Sequence, residues 1–215
     1  AKGTSLGGDD GIAVAYALAI LAADDIPHPA LEVVFTVGEE VGLVGATALD
    51  TSDLKGKILM NIDSEDDGIF LIGCAGAATV ACCLPVKKET VYGQRYVWHI
   101  EGLMGGHSGS EIDKKRANAN VVMGRFLYGL KREADYEIIS MTGGQKDNAI
   151  TREAVCDILV SKEEMDAVKA YASKVEKGLR EEYDGSDKGI SIQITEAGHE
   201  SAKVLHPTSR EKVLF

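Results

Sequence analysis

From Tyr92 onward the spacing of apolar residues changes in a fixed order, strand, helix, strand, strand, helix, strand, and few folds accommodate that order. The segments Arg95–Glu101, Tyr136–Met141, Ala154–Ser161 and Ile190–Glu196 read as strands. Between them Ile112, Ala119, Val122, Met123, Phe126 and Leu130 recur at helical spacing, as do Met165, Val168, Ala172, Val175 and Leu179. Two amphipathic helices covering one face of a four-stranded sheet is the ferredoxin-like α+β arrangement, which has a complete core of its own. Its open sheet edge is a template for strand pairing, so a homodimer formed through this domain is expected.

The residues before it follow another rule. Ile12–Ala23 is an Ala-rich helical pattern, Leu31–Val37 a β-branched strand, Val41–Leu49 a short helix and Lys57–Ile62 a second buried strand. Alternation of this kind predicts part of a mixed α/β sheet. Ile69–Val86 reads as extended segments interrupted by Gly73 and Gly76. The expected division is therefore 1–87 for a partial α/β domain, 88–198 for the ferredoxin-like domain, and 199–215 for a segment returning to the first. The helix start at Pro207-Thr208-Ser209-Arg210-Glu211 has few residues after it, and a further C-terminal part is expected.

Charge and cysteine usage narrow the class. With 23 Lys plus Arg against 34 Asp plus Glu the net charge is -11, which repels phosphate backbones and anionic membranes, so no nucleic-acid or membrane partner is expected. No apolar run approaches the length of a membrane span. Cys74, Cys82, Cys83 and Cys156 show no metal-type pairing and read as reduced, buried thiols of a cytoplasmic protein.

Acidic residues gather at element boundaries of the first part. Asp9 and Asp10 lie in Gly7-Gly8-Asp9-Asp10-Gly11 at a helix start, where either could simply cap the helix. Glu39 and Glu40 follow the first expected strand directly, and successive side chains there diverge, so one carboxylate can bind metal while its neighbour handles water. Asp63 closes the second expected strand in Asn61-Ile62-Asp63-Ser64-Glu65. Each site alone is also consistent with a solvated acidic turn. Three such carboxylates at neighbouring strand ends are what a pair of divalent cations requires.

Taken in order, Thr4-Ser5-Leu6-Gly7-Gly8-Asp9-Asp10-Gly11, Thr36-Val37-Gly38-Glu39-Glu40, Asn61-Ile62-Asp63-Ser64-Glu65 and Gly102-Leu103-Met104-Gly105-Gly106-His107-Ser108-Gly109 resemble the dinuclear zinc metallopeptidases, on the Xaa-His dipeptidase branch. The resemblance implies metal-dependent dipeptide hydrolysis, with Asp9 bridging two zinc ions, Glu40 and Asp63 each completing one, and Glu39 as general base. It implies that His107, in a glycine-flanked loop of the lid, reaches the active site of the partner subunit and hydrogen-bonds the reacting group there. In Gly143–Glu153 it implies substrate contacts from Asn148 and Arg152, with the guanidinium favoured for a terminal carboxylate. The family's proline is here Thr151, which frees a backbone N–H and loosens φ beside Arg152. Asn118 reads as a structural hydrogen-bonding residue.

The resemblance also calls for an upstream His-x-Asp pair and a downstream histidine. This chain has no counterpart of either, and His28 reads as a loop residue, so the chain alone is expected to be a central fragment without activity. Two other readings stay open: a deacylase or carboxypeptidase of the same superfamily, and a non-catalytic interaction module built on the ferredoxin-like domain.

Overall fold

The computed structural model describes Gly8, residues 10–64, 66–74, Gly76 and 78–215. By contacts the chain divides into two compact units, Ala1–Gly76 and Ala77–Phe215.

In the first unit two helices form. Helix α1 (Gly11–Ala22) is capped by Asp10, whose carboxylate accepts from the Ala13 N–H at 3.0 Å. Helix α2 (Val44–Ala48) follows the turn containing Glu39 and Glu40. The expected strands Leu31–Val37 and Lys57–Ile62 do not form: the first carries no strand pairing, nor does the second. A strand is stable only when its N–H and C=O groups meet a ladder, and among the described residues of this unit no partner strand is present. Glu32 in the first instead reaches the turn just ahead of the second, its carboxylate accepting from the backbone N–H groups of Lys55 and Gly56. Their apolar side chains remain exposed, Ile58 at 87%, Leu59 at 93% and Met60 at 76%. The expected α/β sheet is therefore not seen in this unit.

The second unit has the order expected of it. Strand β1 (Lys88–Glu101), the short β2 (Gly106–His107), α3 (Ala119–Leu130), β3 (Tyr136–Gly143), the short β4 (Ala149–Ile150), β5 (Ala154–Val160), α4 (Met165–Glu182), β6 (Ser191–Leu205) and α5 (Pro207–Leu214) follow in turn. The four long strands form one antiparallel sheet in the order β3-β5-β1-β6, which is the ferredoxin-like arrangement. Alternate residues of β1, Tyr96, Trp98 and Ile100, point to the helices and are buried with Val122, Met123, Phe126, Leu127 and Leu130 of α3 and Val168 and Leu179 of α4. Phe126 packs against Trp98 at 4.6 Å between ring centres. The thiol of Cys156, on the same face of β5, is fully buried, and burial pushes it up to about 12. Cys74, Cys82 and Cys83 are exposed instead, because the segment holding them has no covering layer among the described residues; all four are free.

Asn118 acts as the sequence suggests. Its side chain accepts from the N–H groups of Asn120 and Val121 at the start of α3. Asn118→Ala is expected to lower the unfolding free energy by about 1 kcal/mol, measured by denaturant unfolding, and an unchanged midpoint would show that the cap contributes nothing.

Strand β6 is longer than expected. It runs past Gly198 to Leu205, and 199–205 pair with 88–94 of β1, with a register shift between Arg95 and Tyr96. Gly198 reads as a stop in sequence, yet at φ +89° it is the residue that lets the strand pass the irregularity. Helix α5 begins at Pro207, with the His206 ring accepting from the Thr208 N–H as its cap, and packs Val213 and Leu214 against the main core.

Candidate functional site

The expected acidic residues all belong to the first unit. Asp9 lies outside the described residues. Glu39 and Glu40 stand exposed in a tight turn, where the Glu39 carbonyl accepts from Gly42 at 3.0 Å and from Leu43 at 2.9 Å. Gly38 precedes them with φ +68°, and a Cβ there would press on Val41. Asp63 is exposed, with its N–H donating to the Asn61 side chain at 3.3 Å. Carboxylates suit divalent cations chemically, but no group of three His, Cys, Asp or Glu among the described residues is placed to hold one. Among the described residues the geometry supplies no metal site.

The second unit does gather its expected residues. The short strands β2 and β4 pair Gly106 with Ile150 and His107 with Ala149, so Asn148 precedes the partner of His107 and Arg152 follows the pair by two residues. The Ser108 N–H donates to the Asn148 carbonyl at 2.8 Å. A Cβ on Gly105 would stand 3.1 Å from that of Arg152, so the two loops approach closely. The side chains of His107, Asn148 and Arg152 are exposed. Thr151, in the place of a proline, is buried, and its carbonyl accepts from the Ala119 N–H at 2.8 Å, which fixes the backbone beside Arg152 despite the looser φ.

The loop itself is held by side chains. The N–H of His107 donates to Glu111 at 2.9 Å, and Glu111 pairs with Arg116 at 2.7 Å; the Arg116 guanidinium also donates to the Gly105 carbonyl at 2.6 Å. The His107 N–H, followed by Arg116, holds the Glu111 carboxyl below the usual range. Gly106, at φ +138°, lies where a Cβ would collide with both Arg116 and Glu111. On the ring, Nδ1 accepts from the N–H groups of Gly109 at 3.1 Å and Ser110 at 3.2 Å. A nitrogen that accepts carries no proton, so the neutral ring bears its hydrogen on Nε2 and presents a donor outward.

Sequence reasoning missed the group beneath this loop. Asp187, in the turn between α4 and β6, is 1% exposed and accepts from Met104 N–H at 2.7 Å, Ala117 N–H at 2.8 Å and the Ser186 hydroxyl at 2.7 Å. Burial pushes its carboxyl up, but the Met104 N–H, the Ser186 hydroxyl, the Ala117 N–H and the nearby Arg116 charge together hold it below the usual range. A depressed carboxyl contributes stability above its unfolded value, and that contribution is lost as pH falls through its folded value. Asp187→Asn is therefore expected to cost roughly 2–3 kcal/mol near neutrality, in denaturant unfolding, with the difference shrinking in acid. A difference independent of pH would mean that the charge is not what stabilises the turn.

Comparison with known proteins places this geometry in a family. Residues 99–187 match the peptidase dimerisation domain of the M20 peptidases. The chain is 36% identical over 207 residues, 95% of its length, to the cytosol non-specific dipeptidase of Escherichia coli, of which this covers 43%. It is 32% identical to the aminoacylhistidine dipeptidase of Vibrio alginolyticus, whose crystal structure it matches over 99% of its own length and 44% of that chain with a TM-score of 0.69. An uncharacterized Bacillus subtilis protein, YqjE, is 28% identical over 162 residues, 70% of this chain and 38% of that protein. The chain belongs to the M20 peptidases and carries their dimerisation domain. It spans less than half the length of these two dipeptidases.

Proposed function

We propose that this chain is part of a metal-dependent dipeptidase acting on Xaa-His dipeptides. The observation that carries the reading is the 36% identity over 207 residues to a cytosol dipeptidase, which extends through both units rather than the dimerisation domain alone. The alternative of a non-catalytic module built on the ferredoxin-like domain would call for a likeness confined to that domain.

In this reading Asp9, Glu40 and Asp63 hold two divalent cations, zinc, together with histidine and aspartate ligands that this chain does not contain. Held there, the cations would supply Lewis acidity toward a scissile carbonyl and an attacking water. Glu39 takes a proton from the water and returns it to the leaving amine. His107, on the partner subunit of a homodimer, donates Nε2–H to the oxyanion, and Arg152 with Asn148 receives the terminal carboxylate of the dipeptide. The domains in this proposal are 1–87 for the partial catalytic region and 88–198 for the lid, with 199–215, expected as a return segment, adding a strand and a helix to the lid, and the location is cytoplasmic. A deacylase or carboxypeptidase would use the same residues on other substrates.

The test is hydrolysis of a panel of dipeptides, acylated amino acids and longer peptides by the protein produced with the sequence that flanks this chain in its gene. Zinc-dependent turnover of Xaa-His dipeptides is the expected result, lost on chelation and regained on adding zinc. Preferential turnover of acylated amino acids would move the assignment to the deacylases, and no turnover in a folded, zinc-loaded protein would end it.

A further inference from the structure

We propose that Asp187 is a positioning residue for His107, pinning both ends of the loop that presents the imidazole; its importance for catalysis rests on the reading of His107 given above. The loop leaves β1 after Glu101 and rejoins the core at Ala117, and between those points its apolar anchors are few, Leu103 among them. Its first strut is Met104 N–H to one Asp187 oxygen, and its last is Ala117 N–H to the other. These contacts span 83 and 70 residues of sequence, so the turn between α4 and β6 sets the loop's position from outside it.

That turn is itself fixed. The Asp187 N–H donates to the Tyr183 carbonyl at 2.8 Å, and the Asp187 carbonyl accepts from Ile190 at 3.2 Å. Within the span Asp187 pins, Glu111 and Arg116 hold the backbone of His107 and Gly105, and the amides of Gly109 and Ser110 hold the ring. The arrangement is nested: the carboxylate fixes the loop ends, the ion pair fixes the middle, and the ring is oriented last. Three donors converge on Asp187, so an acceptor-only group is required there; an amide would turn an NH2 group toward one of them. A merely structural aspartate would stabilise the fold and leave the imidazole's surroundings unchanged.

The distinguishing experiment uses nitrogen-15 NMR on the 215-residue chain and its Asp187→Asn variant. In the parent, His107 is expected as one tautomer with unprotonated Nδ1. In the variant its ring signals should move toward the averaged values of a free imidazole. Amide exchange at Met104, Gly109, Ser110 and Ala117 should rise about tenfold beyond any change at Trp98 and Ile158 of the sheet. Ser186→Ala, which removes one donor and keeps the carboxylate, should shift the same signals in the same direction by less. Unmoved His107 signals in a folded Asp187→Asn chain overturn the proposal, as do unmoved signals in Ser186→Ala should the first variant fail to fold. In the active protein, Asp187→Asn should lower kcat with little change in KM. If His107→Ala leaves hydrolysis unaffected while Asp187→Asn still frees the loop, the catalytic reading of His107 falls and the pinning stands.

Discussion

Glu39→Gln is expected to reduce dipeptide hydrolysis by about 10²–10⁴-fold while the bound metal stays at the parent's level, because the amide can hydrogen-bond water but cannot take its proton. The neighbouring change gives the contrast. Glu40→Gln should lower metal content and activity together, since an amide is a weaker ligand for a divalent cation than a carboxylate. Measuring kcat beside metal content in both variants separates proton transfer from metal binding. Activity of Glu39→Gln within twofold of the parent would remove Glu39 from the mechanism. Equal loss of metal in both would reassign it as a ligand.

Mixing inactive subunits is expected to restore activity if His107 serves the site across a dimer. A His107→Ala protein and a Glu39→Ala protein, each nearly inactive, should together recover up to about a quarter of parental turnover, as one site of each hybrid dimer would hold both intact residues. The position of His107 favours this outcome: it is exposed on its own unit, on a ribbon flanked by Asn148 and Arg152, inside the region matched by a dimerisation domain. Recovery is read after subunit exchange is demonstrated by differently tagged copies. No gain in confirmed hybrids would place His107 in its own subunit's site or outside the reaction.

The two units differ in how much of them the sequence displays, and the reason is local. In the ferredoxin-like domain periodicity and pairing agree: Tyr96, Trp98 and Ile100 alternate in sequence and all meet the helices, and Val122, Phe126 and Leu130 do so from α3. In the first unit the runs Leu31–Val37 and Lys57–Ile62 have strand composition without strand structure. Branched and aromatic residues favour a pleated surface that is already half buried, and a composition cannot supply the neighbours that bury it.

The same division holds for the candidate site. Glycine flanks mark His107, because a Cβ at Gly106 or Gly109 would meet Arg116 or the imidazole, and such crowding leaves a trace in the sequence. Asp187 leaves none. It sits in Asp184-Gly185-Ser186-Asp187, which reads as an ordinary polar turn, and its partners at Met104 and Ala117 contribute only backbone groups. A backbone donor has no side-chain identity, so an acceptor that serves it is invisible until the chain is folded.

The register shift in β6 makes one strand change allegiance midway. On one side of it Ile192 and Ile194 point toward the helices opposite Ile100 and Trp98; on the other Ala202 and Val204 point away and form a separate small cluster with Leu159 and Val91. Tyr96 faces Glu196 and Arg95 faces Gly198, so Ala197 is the residue left over. It acts as a parity switch: Ile192, Ile194, Ala202 and Val204 share one alternation in sequence, and the extra residue sets the first two and the last two on opposite faces. Substitution at Ala197 keeps the bulge, whereas deleting it would set Glu196 and Gly198 side by side opposite Tyr96 and Arg95 as a regular ladder, with Ala202 still opposite Val91 and Val204 still opposite Glu89.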